Sequence, residues 1–583
     1  MKRLSSRMRQ FGQIVPLTLI FVLGFGGIND IRSKDLLEEG NDSLLGNYLS
    51  GRFAKSQRDV DKAAEYYQRA LDKDPGNEII LEQAFLLATS NGEWDAARLH
   101  ANELVLKEPN HRIARIFLGI DAFKKSEYGK AEAQFSAVGK GQIAGLITSL
   151  AKAWTLAAKG RYDQARNSLN AKNSPEWAVF YRTYHQALIS DLKGRNKYAE
   201  SRYSLLYERD PRSLRVAIAY SRHLARRGLR KQARKVLQRH IALTRNHPES
   251  VALLEQIVSG KKISRLIENP TEGLAEVFYG LGEALTAEGG IDYGIIYLKL
   301  ALILKPDFPL VYNALGQVYE HSDKYDLSIA AYDQIPKSSA IWKQVQIRKS
   351  FVLNAAERLD EARTLLLSLA EENPQDMLPL DSLGNILRSR MKYEEAEKYY
   401  SQSIKLMPNP NKENWSQFYS RGVCYDRMKM WDKAEADFQQ ALKLDADQPL
   451  VLNYLGYSWV DQNKNLNEAM SLIRQAVKIR PKDGYFVDSL GWAYYRLGDY
   501  ENAVRQLETA VQLLPEDPVI NDHLGDAFWQ VGRRLEARYQ WILSLSLKPA
   551  DDVAKTINEK LASGLRTEGE TKAAEIKNKK AKK

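Results

Sequence analysis

Apolar residues recur three and four apart along most of the chain, as in AAEYYQRAL (63–71) and AVRQLETAV (503–511). That spacing turns one face of an α-helix toward a core, and strand-type alternation is missing, so the pattern predicts an all-α protein. The pattern also returns at a fixed interval. Gly491 is followed by Tyr494, Ala503, Leu507, Ala510 and Pro515. The same order reappears as Gly525, Phe528, Ala537, Trp541, Ser544 and Pro549, and, one residue longer, as Gly456, Trp459, Ala469, Ile473, Ala476 and Pro481. Further back the leading small residue falls at Gly422, Gly384, Ser350, Gly316 and Gly282. A second, earlier block, also in steps of 34, occupies Gly51, Phe85, Gly119, Ala153, Ala187 and Ser221. Between Ser221 and Gly282 lie 61 residues, so one shortened unit interrupts the array.

A 34-residue unit of two helices with these residue types in this order resembles the tetratricopeptide repeat (TPR). The resemblance covers about residues 46–549 and implies a right-handed superhelix, an α-solenoid, of about 13 helix-turn-helix repeats. The small residue and the later alanine let the two helices approach closely, and the aromatics fill the space between neighbouring pairs. Proline ends the second helix because it cannot donate an intrahelical hydrogen bond. A chain of 583 residues exceeds what one hydrophobic core usually supports, and stacked repeats remove that limit.

The array divides into an N-terminal block at 44–248, a degenerate or shortened repeat at 249–274, and a C-terminal block at 275–549. The segment DDVAKTINEKLASGL predicts a helix over 550–566 that caps the open end, and the lysine-rich stretch 567–583 reads as a disordered tail. At the other end, Lys2, Arg3, Arg7 and Arg9 precede the apolar run IVPLTLIFVLGFGGI, so 1–26 reads as a signal peptide or membrane anchor. Periplasmic residence is the expectation, with inner-membrane anchoring as the alternative.

Little in the sequence supports chemistry. Asp522, His523 and Asp526 share a helical turn but flank the repeat glycine Gly525, so no metal is expected there. The single cysteine, Cys424, sits where the repeat wants a small apolar side chain. The glycines of YGLGEAL (279–285) follow no strand, which excludes a dinucleotide loop. No cofactor and no enzymatic activity are expected.

Binding surfaces are the better reading. The resemblance places first-helix positions along a concave groove. In the N-terminal block these include Ile116, Ile120, Trp154 and Tyr184, an apolar wall that either meets a partner or is covered by another segment. In the last repeats they include Tyr457, Asp488, Trp492, Tyr495, Asp522 and Trp529, aromatics and acids suited to an extended peptide. The net charge of +12 is concentrated in 212–248, where Arg215, Arg222, Arg226, Arg230, Lys231, Arg234 and Lys235 form a candidate basic patch. An acidic protein, anionic lipid or nucleic acid would suit it, or it is simply solvated. The stretches LNYLGYSW, DSLGWAYYRLG, DHLGDAFW and GRRLEARYQW look like the terminal repeats of bacterial envelope TPR proteins. Those include lipoprotein adaptors that hold carboxyl-terminal processing proteases and cell-wall enzymes, although no cysteine follows the apolar run here. The expected function is a non-catalytic envelope scaffold for such enzymes. The alternative is a cytosolic or membrane-anchored regulator that binds nucleic acid or another acidic partner through 212–248.

Overall fold

Repeat glycines along the chain lie under a bulky side chain of the following helix. A Cβ on Gly384 would stand 2.7 Å from the Tyr400 ring, one on Gly422 2.7 Å from Phe438, and one on Gly525 2.5 Å from the Trp541 indole. The alanines Ala396, Ala434, Ala503 and Ala537 are fully buried from the other side of the same contacts. This close approach is what the repeated spacing encodes, and it produces antiparallel helix pairs throughout. The structure is a computed structural model that describes residues 43–57, 59–170 and 175–565. The segment 1–26 and the tail 567–583 therefore lie outside the described residues.

The described residues are helical and fall into two compact units, the first running to Lys324 with Gln334–Ala340, the second comprising Tyr325–Asp333 and the residues from Ile341. The first unit begins with α1 (Leu44–Ser56), α2 (Val60–Lys73), α3 (Glu78–Asn91), α4 (Trp94–Lys107), α5 (Arg112–Lys124), α6 (Tyr128–Ser136), α7 (Gln142–Ala158) and α8 (Tyr162–Ser168). It continues with α9 (Glu176–Lys193), α10 (Asn196–Arg209), α11 (Leu214–Arg226), α12 (Arg230–Leu243), α13 (Pro248–Val258), α14 (Pro270–Ala287), α15 (Ile291–Leu304) and α16 (Pro309–Glu320). The second holds α17 (Tyr325–Asp333), α18 (Trp342–Ala355), α19 (Leu359–Glu372), α20 (Leu378–Ser389), α21 (Tyr393–Lys405), α22 (Trp415–Arg427) and α23 (Trp431–Leu444). It ends with α24 (Pro449–Asp461), α25 (Leu466–Ile479), α26 (Gly484–Arg496), α27 (Tyr500–Leu513), α28 (Pro518–Gln530), α29 (Arg534–Ser546) and α30 (Asp551–Ser563).

Helix ends follow local chemistry. Pro270, Pro309, Pro449 and Pro518 sit in first turns, where the missing N–H costs nothing. Asp517 caps α28 by accepting from the Ile520 backbone N–H at 3.0 Å. The tight turn inside each pair passes through the left-handed region. Gly498 and Gly532 supply it without strain, whereas Met391 and Lys429 adopt φ of 57° and 62° at the same place in their repeats.

The interval 249–274 contains most of α13 and then a non-helical stretch, 259–269, before α14 begins. After that break the chain of the first unit turns back on itself. Helix α14 packs along α7 and α9, and α15 along α3 and α5. A Cβ on Gly273 would lie 2.3 Å from the Trp154 indole, so glycine alone lets α14 seat there. The Tyr181 hydroxyl donates to the Gly280 carbonyl at 3.2 Å, and that of Tyr184 to the Glu276 carboxylate at 3.3 Å. The inner wall of the first unit is thus filled by the chain's own hairpin. No helix among the described residues is long and apolar enough to cross a membrane.

Candidate protein-binding groove

The last repeats of the second unit bring most of the predicted aromatic and acidic residues together, but not as an open acidic surface. On α26 the Trp492 and Tyr495 rings stack with centroids 4.7 Å apart and planes within 6°. The opposite contact of Trp492 is the imidazole of His523 on α28, stacked at 4.1 Å. Below the stack, His523 Nδ1 meets Asp488 Oδ1 at 2.9 Å. Burial pulls the imidazole pKa down, but Asp488, helped by Asp522 and Asp526, outweighs that and holds it above the usual histidine value. Asp488 is therefore the buried partner of the His523 imidazole rather than a surface acid.

Asp522 and Asp526 are likewise occupied. Lys560 reaches from α30 and donates to both Asp522 oxygens at 2.8 and 2.9 Å and to Asp526 Oδ2 at 2.8 Å. Trp541 Nε1 donates to the other Asp526 oxygen at 2.9 Å. Burial still raises the Asp526 carboxyl to about 6, against the pull of Lys560. Trp529 is half-buried and packed on one side: its ring lies 5.4 Å from that of Trp541, and Gly564 seats so close that a Cβ would fall 2.2 Å from the indole.

What stays half-exposed is a strip formed by Tyr457 on α24 and Trp492, Tyr495 and Arg496 on α26, beside the exposed Asp461. Burial, with Asp488 and Asp461 nearby, moves the Tyr457 hydroxyl upward, and burial with Asp526 pushes Tyr495 up to about 12. Both tyrosines thus remain neutral donors at physiological pH. Trp492 Nε1 is a donor with no acceptor in the protein. Trp492 Nε1 is itself buried, so the strip offers a polypeptide ring area and the tyrosine hydroxyls.

The other predicted surfaces change more. Ile116, Ile120 and Trp154 have no exposed area and Tyr184 is buried, because α14 and α15 lie over that wall. They offer no open groove; the covering-segment alternative describes them. The basic patch also divides. Arg215 pairs with Glu276, Arg226 donates to Asp191 at 3.0 Å, and Arg222 donates to Ser264 Oγ at 2.9 Å. Arg230 donates to the carbonyls of Ile257, Gly260 and Lys261 at 2.9, 3.1 and 3.2 Å. Arg222 and Arg230 thus hold the break before α14, Arg215 holds α14 itself and Arg226 holds α9, leaving Lys231, Arg234 and Lys235 exposed on α12. Cys424 is buried in α22 and its thiol is pushed up to about 12 by burial, out of the range of a reactive thiolate.

Three stretches match family models described as tetratricopeptide or TPR repeats: residues 48–79, 415–448 and 491–532. Those segments are tetratricopeptide repeats. The third contains Trp492, Tyr495 and His523, so the stack belongs to repeat architecture. A TPR repeat-containing protein of Pseudomonas aeruginosa, PA4667, is 27% identical over 194 residues, 33% of this chain and 32% of that protein. The BBSome complex member BBS4 of Bos taurus is 25% identical over 231 residues, 39% of this chain and 43% of that one. The chain thus spans less than half the length of these relatives. Among solved structures, the APC/C hetero-tetramer Cut9-Hcn1 is similar with a TM-score of 0.36 and 14% identity, covering 91% of this chain and 98% of that one. YrrB, a TPR protein with an unusual peptide-binding site, gives 0.27 and 19%, covering 33% and 97%. TPR arrays are in general non-catalytic and bind protein or peptide partners.

Proposed function

We propose that this TPR chain is a scaffold whose second unit holds a protein partner across the strip Tyr457–Trp492–Tyr495. The observation that carries this reading is the stacked pair Trp492–Tyr495, half-exposed on α26 beside the half-exposed Tyr457. Stacking on His523 keeps the indole from reorienting, so the accessible part of the ring is preorganised for a ligand. Because Asp488, Asp522 and Asp526 are already neutralised, apolar contact and backbone hydrogen bonding contribute more to such binding than ion pairing does. Its dependence on salt is accordingly weak.

The finer reading is an adaptor of a bacterial envelope that brings a protease, or a cell-wall or outer-membrane assembly enzyme, to its substrates. It rests on the basic, then apolar N-terminal segment and on the likeness of the last repeats to envelope TPR proteins. The experiment is affinity isolation of the full chain and of a Trp492→Ala/Tyr495→Ala variant from bacterial cells, with quantitative mass spectrometry. Loss of one exported hydrolase or cell-wall enzyme from the variant, by tenfold or more, supports the reading. Equal recovery with both proteins removes the strip from consideration, and a partner confined to the cytosol removes the envelope.

A further inference from the structure

In the first unit, the hairpin that fills the inner wall lines a cavity of about 740 Å³ between α9, α11, α14 and α16. Its lining is uneven in chemistry. On the α11 side, Arg215 is spent on Glu276, with Nε donating to Oε2 at 3.1 Å, and the Tyr184 hydroxyl closes the same buried cluster. The Tyr181 and Tyr279 rings form walls from α9 and α14. Glu283, one turn beyond Tyr279, is exposed within this lining and makes no ion pair among the described residues. Burial, with Glu283 and Glu288 nearby, moves the Tyr181 hydroxyl upward, and burial raises the Glu283 carboxyl against the pull of Tyr279 and Arg215.

Two further features point to a ligand. His185 is fully buried and belongs to the cavity wall. Its Nδ1 accepts the Trp154 indole N–H at 3.0 Å; an indole can only donate, so the proton sits on Nε2, and that donor has no acceptor in the protein. Across the cavity, Asn313 and Gln317 stand one turn apart on α16, and their side-chain amides make no hydrogen bond among the described residues. Paired amides facing an unsatisfied donor across the cavity match the alternating N–H and C=O groups of an extended backbone, while a carboxylate that makes no ion pair and is hydrogen-bonded to the Tyr279 hydroxyl matches a cation on an aliphatic stem.

We infer that this cavity is a second binding site, independent of the strip on the second unit, for a peptide segment that inserts a lysine or arginine side chain toward Glu283. The rings of Tyr181 and Tyr279 flank the stem, and Asn313 and Gln317 hold the adjoining backbone. The site is a product of α14 folding back, since without α14 neither Tyr279 nor Glu283 would face α9.

The test uses the full chain and three probes: acetyl-Ala-Arg-Ala-amide, its glutamine counterpart, and agmatine, which carries the same guanidinium without a peptide backbone. Binding is read by saturation-transfer NMR and isothermal titration for the native chain, Glu283→Gln, Asn313→Ala/Gln317→Ala, and Trp492→Ala. The arginine peptide is expected to bind at least tenfold more tightly than the glutamine peptide, and Glu283→Gln to remove that preference with helix content unchanged. Asn313→Ala/Gln317→Ala is expected to weaken the peptide and leave agmatine unaffected. Failure of the arginine peptide to bind, or indifference to Glu283→Gln, overturns the inference. Agmatine binding as tightly as the peptide overturns the backbone assignment. Loss of binding in Trp492→Ala with retention in Glu283→Gln places the peptide on the other unit and overturns this site while leaving the scaffold reading intact.

Discussion

Lys560 shows how a residue's role can depend on distant chain. It is the cation for two buried acids, Asp522 and Asp526, which stand 38 and 34 positions earlier. Replacing it by alanine strands both carboxylates in a dry site, and we expect a loss of about 3–5 kcal/mol in urea denaturation. Adding Asp522→Asn and Asp526→Asn to Lys560→Ala should recover part of that loss; no recovery would mean that α30 is held by packing alone. A smaller effect of opposite sign is expected at Met391, which is exposed and held at φ 57°. Met391→Gly removes the left-handed penalty but adds unfolded-state entropy, so we expect a net gain of about 0.5–1 kcal/mol in the same assay. The repeat glycines and alanines were legible in the sequence because each meets a partner in its own repeat at a constant offset. Lys560 and the four internal arginines were not, because a charge count carries no information about a partner one or more helices away.

At the scale of elements, α15 carried a signal in plain sight. Its sequence IDYGIIYLKLALIL is apolar on nearly every face, and a helix of that kind belongs inside a structure, not at its surface. The apolar wall around Ile120 and Trp154 is its counterpart, yet which apolar stretch covers which wall depends on how far the chain turns back, and periodicity does not encode that. Gly273 is the most direct probe of the contact. Gly273→Ala puts a methyl against the Trp154 indole, and overpacking of that kind costs about 1–3 kcal/mol. Faster protease cleavage within 259–269 should accompany the loss, since that stretch tethers α14. Unchanged cleavage and stability would show that α14 does not rely on this seat.

Across the whole molecule the two units carry histidines of opposite sign. In the first, burial lowers His100, His240 and His247, and holds His185 at about 3. A histidine depressed on folding contributes stability above its unfolded value near 6.5 and loses it as the pH falls toward the folded value. His185 alone then accounts for up to roughly 5 kcal/mol of acid sensitivity. In the second, His523 is raised, so its contribution is present below about 6.5 and is lost as the pH rises through its folded value. Asp526, raised to about 6, acts in the same direction because the folded state binds the extra proton. Labelling of the buried Cys424, normalised to the unfolded chain, reads the second unit and should accelerate from pH 6 to 8. Cleavage in 259–269, normalised the same way, reads the first and should accelerate from pH 7 to 5. The reverse order would contradict these assignments.

The central claim is that the first unit fills its own inner wall while the second leaves the Trp492 strip to a partner. The direct measurement installs a leucine-sized diazirine residue at Ile120 or at Trp492 in the full chain and identifies the crosslinked product in living cells by mass spectrometry. The account predicts that Ile120 captures only its own chain and that Trp492 captures another protein. A foreign protein captured at Ile120, with Trp492 crosslinking only within the chain, would contradict it.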